Sequence, residues 1–195
     1  MRESQDNKRS KKDETNSDRP DVFFRSFIEG VQPGRMLLPA GGPASNAVFA
    51  ASLGWDVNVF DFCLDARKKT LEMAGREGVK AVNYTGYIEF HELEEEMYDV
   101  IALIHVYLEL HIRSFVNKKL ISSLKRGGFF LIEAFAGEQA DSGSDKPGPM
   151  LYDIAGIKED FQGLDIETLN QTETGGDQGS YKGKGRLVRM VALKP

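Results

Sequence analysis

This 195-residue sequence contains a single cysteine and no long apolar run. Cys63 is the only cysteine, which excludes an intrachain disulfide and fits a reducing compartment. No apolar run approaches the roughly 20 residues that a membrane-spanning helix needs, and the first residues lack the apolar segment typical of a secretory signal. We therefore expect a cytoplasmic protein that does not associate with a membrane.

Basic residues are also fewer than acidic residues. Lysine and arginine number 25 against 30 acidic residues, which gives a net charge of −5. Partners rich in phosphate need a basic surface, so we expect neither nucleic-acid binding nor attachment to an anionic membrane. The length suffices for one domain with a full core, and the 41% hydrophobic content is ordinary for a globular protein.

The first 20 residues contain almost no apolar side chain beyond Met1 and mix charges of both signs. Such a segment cannot bury enough surface to offset the entropy lost on ordering. We predict a disordered tail over residues 1–20 and one folded domain over residues 21–195.

Within that domain, short apolar runs alternate with helical patterns, which is typical of a parallel sheet with helices on both faces. The predicted strands of this part are 36–38, 55–60, 79–84, 99–104 and 129–132, and the predicted helices are 22–28, 43–53, 65–76, 110–124 and 157–161. A turn is expected at residues 125–128. Strands at 164–173 and 187–193 have no helix between them, so we predict that they form an antiparallel hairpin. The fold class is thus α/β: a Rossmann-like, seven-stranded, mostly parallel sheet with a C-terminal antiparallel hairpin.

The stretch after the first strand resembles a nucleotide-type cofactor loop. Ala40, Gly41 and Gly42 lead into a small-residue helix for which Pro43 suits the first turn. Glycine lets the backbone approach a ligand closely, and the helix N-terminus offers free N–H groups. Asp61 ends the second strand, where such folds bind a ribose. The alternatives are that the glycines form a plain turn and that Asp61 caps the next helix.

Further motifs follow in a consistent order. They are Asn46 to Ala51, Asp61 with Phe62, Tyr98-Asp99-Val100-Ile101, Leu124-Lys125-Arg126-Gly127-Gly128, Glu133-Ala134-Phe135 and the segment 185–192. From about Phe23 to Pro195 this layout resembles the class I S-adenosylmethionine-dependent methyltransferases, and especially the small stand-alone members related to the tellurite-resistance methyltransferases. The resemblance implies strands in the order 3-2-1-4-5-7-6 with strand 7 antiparallel, and S-adenosylmethionine as the cofactor.

The resemblance also implies the residues of the site. Those expected to bind the cofactor are Ala40, Gly41, Gly42, Asn46, Asp61, Phe62, Tyr87, Ile88, Ile104 and His105. The sequence departs from the family at several places: Tyr107 and Tyr181 stand where the family often has histidine, and Arg126 stands for a proline. Gly41, Pro43, Ala44 and Ser45 replace more glycine-rich and charged residues, and Tyr87 replaces an acidic residue.

No catalytic residue is assigned by the sequence. A soft nucleophile such as a thiolate, selenide or telluride needs no general base, whereas an oxygen or nitrogen nucleophile would use His105, Tyr107 or Tyr181. His105 could equally be structural, and Glu133 is expected to make structural hydrogen bonds. We predict no metal site, because His91 and the glutamates after it share no common face. Cys63 is expected to be buried and inert.

The function predicted from these observations is S-adenosylmethionine-dependent methylation of a small-molecule acceptor. A catalytically degenerate protein of the same fold, with a binding or regulatory role, is the alternative, because the glycine loop is altered. A nicotinamide-dependent oxidoreductase is a third, but residues 41–46 lack Gly-x-Gly-x-x-Gly.

The polar segment 137–149 is expected to form a lid, with Met150, Leu151 and Tyr152 as an apolar wall; a plain surface insertion is the alternative. The sequence does not indicate the oligomeric state.

Overall fold

A seven-stranded sheet forms the centre of the chain, with the strands in the order β3-β2-β1-β4-β5-β7-β6. The computed structural model describes residues 19–39, 43–61, 63–106, 108–136, 152–177 and 182–195. The strands are β1 (Arg35–Leu38), β2 (Asp56–Asp61), β3 (Ala81–Thr85), β4 (Tyr98–Ile104), β5 (Leu124–Phe135), β6 (Asp165–Asp177) and β7 (Lys182–Leu193). The first five are parallel, and β7 pairs antiparallel with both β5 and β6. The predicted fold class and strand order are confirmed.

Helices cover both faces of the sheet. They are α1 (Val22–Ile28), α2 (Ala44–Ser52), α3 (Leu64–Glu77), α4 (Leu110–Ser123) and α5 (Ile154–Asp160), with a short 3-10 helix at Ile88–Phe90. In the part of the chain that the structure describes, no helix has the length and apolar character needed to cross a membrane.

The two faces separate because successive side chains of a strand point in opposite directions. Met36 and Leu38 of β1 pack with α1 and α2, whereas Leu37 packs with α4 and α5. Residues of β4 alternate in the same way between the two clusters. Both faces are therefore apolar, which explains why β1 and β4 show no polar alternation.

The structure corrects the turn predicted at residues 125–128, which lies inside β5. Leu124 pairs with Tyr98, and after a shift in register Phe129 pairs with Val100. The intervening residues remain tied to the sheet through Gly127 N–H, which donates to Lys194 O at 2.8 Å, and Lys194 N–H, which donates to Gly128 O at 3.0 Å. This contact between distant parts of the chain, absent from local sequence signals, keeps the segment in the strand.

Three predicted helix starts also differ from the structure, that of α3 by one residue because it begins at Leu64. Pro43 is extended and precedes α2 as its N-cap residue, rather than lying in the first turn. Helix α5 begins at Ile154 instead of residue 157, because the Asp153 side chain accepts a hydrogen bond from Gly156 N–H at 2.8 Å and so caps an earlier turn.

Candidate functional site

Asp61 lies at the carboxyl end of β2 and is only 5% exposed. Its Oδ1 accepts a hydrogen bond from Cys63 N–H at 2.8 Å, so the turn role considered from the sequence is present. Burial raises the pKa of Asp61, and the Cys63 N–H opposes that effect. Cys63 itself is exposed, which corrects the expectation that it is buried. The result is a buried carboxylate at the sheet edge where ligands bind in α/β folds.

The loop after β3 is held against Asp61. Gly86 N–H donates to Asp61 O at 3.2 Å, and Asp61 pairs with Thr85 in the sheet. Tyr87 follows directly, is 56% exposed and contacts Phe90 edge-on with 6.2 Å between ring centroids. The structure thus brings the predicted residues Asp61 and Tyr87 to one part of the sheet edge.

Ile88 and Ile104 have a different environment. Their side chains are buried in the two apolar clusters on opposite faces of the sheet. The carbonyl of Ile88 also accepts a hydrogen bond from the Lys119 ammonium at 3.2 Å. Any contact of these two residues with a cofactor would therefore involve backbone atoms rather than side chains.

Asn46 connects the first turn of α2 to the segment before α1. Its side chain is buried, and Oδ1 accepts a hydrogen bond from Asp21 N–H at 2.8 Å. The Nδ2 group has no hydrogen-bond partner among the described residues. A buried amide donor without a partner costs free energy, so this group is available to an acceptor on a ligand.

Asp21, His105 and Glu133 form a buried group that we call the carboxylate–imidazole cluster. His105 Nε2 lies 3.3 Å from Asp21 Oδ2 and 3.3 Å from Glu133 Oε1. Asp21 and Glu133 are fully buried, and the His105 side chain is 12% exposed. His105 directly follows β4 and has a φ of 55°, and its N–H donates to Glu133 O at 2.7 Å. This left-handed backbone, rare for a non-glycine residue, turns the imidazole toward both carboxylates.

Each ionisable group of the cluster shifts the pKa values of the other two. Burial alone would lower the pKa of His105, but Asp21 and Glu133 raise it to about 9. Burial and the negative charge of Asp21 raise the pKa of Glu133. Burial would also raise the pKa of Asp21, but hydrogen bonds with His105, Glu133 and Phe24 N–H hold it below its usual value. With a proton as the only bound cation, the imidazole is charged at neutral pH and cannot accept a proton from a substrate.

Outer contacts fix each carboxylate. Asp21 Oδ1 caps α1 by accepting from Phe23 N–H at 3.0 Å and Phe24 N–H at 3.1 Å. Arg189 Nε donates to Glu133 Oε2, and its guanidinium lies 5.2 Å from the centre of the Phe23 ring. Sequence reasoning did not single out Asp21 or Arg189. An aspartate just before an apolar helical run is an N-cap signal, but nothing local indicated its partner 84 residues away.

Several predicted residues lie outside the described part of the chain. These are Ala40, Gly41, Gly42, Phe62, Tyr107, Tyr181, the segment 137–149, Met150 and Leu151. Their predicted roles, the lid included, stay predictions. Tyr152 is described, and it packs in the core with the Arg113 guanidinium 5.0 Å from its ring centre.

Known proteins share this architecture. A model of the family described as tellurite resistance protein TehB matches residues 3–191. The chain is similar to the crystal structure of TehB from Haemophilus influenzae, with 20% identity and a TM-score of 0.74. The alignment covers 89% of this chain but 62% of that one, so this chain spans less than two thirds of its length. No curated protein sequence gives a match.

Two further structures are methyltransferases by name. A SAM-dependent methyltransferase from Methanosarcina mazei is 14% identical, with a TM-score of 0.65 and coverage of 86% of this chain and 96% of that one. Magnesium protoporphyrin IX methyltransferase from Synechocystis, solved with bound SAH, is 15% identical, with a TM-score of 0.68 and coverage of 89% and 82%. At these identities the structures establish a shared fold, which is that of the S-adenosylmethionine-dependent methyltransferases.

Proposed function

The chain belongs to the tellurite resistance protein TehB family, and from this premise we propose that it is an S-adenosylmethionine-dependent methyltransferase with a small-molecule acceptor. Membership confirms the resemblance found in the sequence. S-adenosylmethionine as the cofactor agrees with structural neighbours that are named methyltransferases, one of them with bound SAH. The net charge of −5 favours a small acceptor over a nucleic acid.

The observation that carries the proposal is the buried carboxylate of Asp61 at the end of β2. A carboxylate accepts up to about four hydrogen bonds, and Cys63 N–H supplies one. The remaining capacity suits a pair of ribose hydroxyls, and burial protects those bonds from competition with water. Tyr87, held next to Asp61 through Gly86, offers an exposed aromatic face for the adenine. The Asp61 acceptor and the aromatic ring of Tyr87 therefore suit the adenosine part of the cofactor.

The state of His105 favours an acceptor that needs no general base. Its imidazole is engaged by two carboxylates, which raise its pKa to about 9. S-adenosylmethionine, held at Asp61, would supply an electrophilic methyl group to the acceptor lone pair, with the carbon–sulfur bonding pair left on the sulfur of S-adenosylhomocysteine. Thiolate, selenide and telluride acceptors are already nucleophilic near neutral pH. The protein's contribution is then position, orientation and exclusion of water.

Turnover with matched acceptors tests the proposal. The purified chain is incubated with S-adenosylmethionine and, separately, with sulfide, selenide, a small thiol, a catechol and an amine, and S-adenosylhomocysteine is quantified. We expect product with the chalcogen acceptors and none with the catechol or amine. Turnover confined to the oxygen and nitrogen acceptors would contradict the assignment of the acceptor class. Cofactor binding without turnover on any acceptor would point to the catalytically degenerate alternative.

A further inference from the structure

The carboxylate–imidazole cluster contains more negative groups than one imidazole can satisfy. His105 Nε2 carries at most one hydrogen, yet it lies 3.3 Å from a carboxylate oxygen of Asp21 and equally far from one of Glu133. Only the Asp21 contact has the geometry of a hydrogen bond. Glu133 Oε1 is buried and has no hydrogen-bond partner among the described residues. Arg189 pairs with the other oxygen of Glu133, but an unsatisfied buried carboxylate oxygen is costly, so Oε1 is available to a further partner such as a cation.

We propose that Asp21, His105 and Glu133 bind a divalent transition-metal cation through Asp21 Oδ2, His105 Nε2 and Glu133 Oε1. Each of the three residues offers one ligand atom within 4.8 Å of those of the other two, and His105 Nε2 lies 3.3 Å from Asp21 Oδ2 and 3.3 Å from Glu133 Oε1. Ligands about 2.0–2.2 Å from a tetrahedral metal are roughly 3.3–3.5 Å apart, which matches the two measured nitrogen–oxygen separations. A set of one imidazole and two carboxylates suits Zn²⁺ and neighbouring ions of intermediate softness.

The outer contacts are those of a metal site whose ligands are held in place. Asp21 Oδ1 is fixed by the N–H groups of Phe23 and Phe24, and Glu133 Oε2 is fixed by Arg189. Each carboxylate therefore has one oxygen held by an outer donor and the other directed at His105 Nε2. Metal ligands in proteins are commonly oriented by such second partners. Arg189 also offsets one negative charge, so a divalent ion with a neutral imidazole would give the group a net charge of +1.

The expected coordination also bears on the acceptor. Three protein ligands leave at least one position of a tetrahedral ion open. The open position is available to a sulfur, selenium or tellurium atom of a methyl acceptor. This role rests on the proposed function, whereas binding of the metal does not. The proposal departs from the sequence-based expectation of no metal, which considered only His91 and its neighbouring glutamates.

Calorimetry with Zn²⁺ on the full chain, without a histidine tag and after removal of chelator, tests the site. We expect one Zn²⁺ per chain, and at least about tenfold weaker binding in Glu133→Gln, which keeps the shape of the side chain. Asp21→Asn is the second variant, because asparagine remains a good N-cap and can still accept from Phe23 and Phe24. The control is Glu109→Gln, since Glu109 Oε2 lies 3.2 Å from His111 Nδ1 in an exposed pair.

The outcomes separate the proposal from its rivals. Zn²⁺ binding that is weakened in Glu133→Gln and Asp21→Asn, and unchanged in Glu109→Gln, supports the site. If the wild-type chain binds no Zn²⁺, or if the wild type and the three variants bind Zn²⁺ with equal affinity, the proposed metal site is wrong and the cation of the cluster is a proton. Circular dichroism of each variant confirms that the fold is retained. Because no cofactor is present in these titrations, their failure is distinguishable from failure of the proposed methyl transfer.

Discussion

Replacement of Asp61 by asparagine should separate cofactor binding from stability. Asparagine keeps a side-chain oxygen that can accept from Cys63 N–H, so the turn after β2 is preserved. It loses the negative charge and one of the two acceptor oxygens available to ribose hydroxyls. Asp61→Asn is therefore expected to weaken cofactor binding while leaving the fold in place.

The size of the effect follows from the kind of contact. A hydrogen bond to a charged group contributes about 1.5–3 kcal/mol, which corresponds to a roughly 10- to 150-fold change in the dissociation constant. The stability of the folded chain, in contrast, should be retained or increased in Asp61→Asn. Burial raises the pKa of Asp61 in the folded chain, so at neutral pH its ionised form is disfavoured by folding. That penalty is present above the folded pKa and vanishes below the unfolded one, and a neutral amide avoids it.

Equilibrium dialysis with labelled S-adenosylmethionine measures the affinity, and thermal unfolding measures the stability. Asp65→Asn is the matched control, because Asp65 is an exposed residue in the first turn of α3. We expect a 10- to 150-fold loss of affinity in Asp61→Asn, with Tm equal to or above that of the wild type, and no loss in the control. Equal affinity in both variants would remove Asp61 from the cofactor site and refute the reasoning.

Four further substitutions test the contacts that hold the fold together. Asp99 accepts from Arg35 N–H at 2.7 Å and from the Lys125 ammonium at 2.8 Å, contacts that hold its pKa below the usual value although burial opposes them. Asp99→Asn should therefore lower Tm at neutral pH, with the difference from wild type fading as the pH falls below about 4. Gly128→Ala should destabilise the chain by about 1–3 kcal/mol, because a Cβ at this position would lie 2.9 Å from Lys125 O. Gly75→Ala should instead stabilise the chain by about 0.4–1 kcal/mol, because a Cβ at Gly75 in α3 would meet open space. Unfolding in urea measures both changes. Phe24→Ala should cost about 3–5 kcal/mol in the same assay, since Phe24 is fully buried between α1 and the sheet.

The order of the elements could be predicted because their signals are local. The apolar run from Val100 to Ile104 has no polar break, and both of its faces are covered by helices in the structure. The absence of a helical segment between the last two strands required a hairpin, which β6 and β7 form. By contrast, the bounds of β5 could not be predicted, because residues 125–128 stay in the sheet through pairing with Lys194 at the other end of the chain.

The candidate site was predictable only in part. Asp61 and His105 follow strands whose carboxyl ends meet at one edge, so their placement follows from topology. The position of Asp21 against His105 does not, because it depends on how α1 packs after the sheet has formed. Arg189 was placed in a C-terminal strand, but its pairing with Glu133 depends on the antiparallel register of β5 and β7. The exposure of Cys63 likewise follows from the Asp61 turn rather than from residue type.

Calorimetric titration of the wild-type chain with S-adenosylmethionine and S-adenosylhomocysteine tests the central claim most directly. The glycine loop differs from that of the family, so binding of the cofactor is the property to test. We expect binding because the buried Asp61 carboxylate lies beside the loop that contains Tyr87. We predict saturable binding of one molecule per chain for both compounds. Absence of binding heat for either compound at millimolar concentration, with the chain shown to be folded, would contradict the assignment of the protein as an S-adenosylmethionine-dependent methyltransferase.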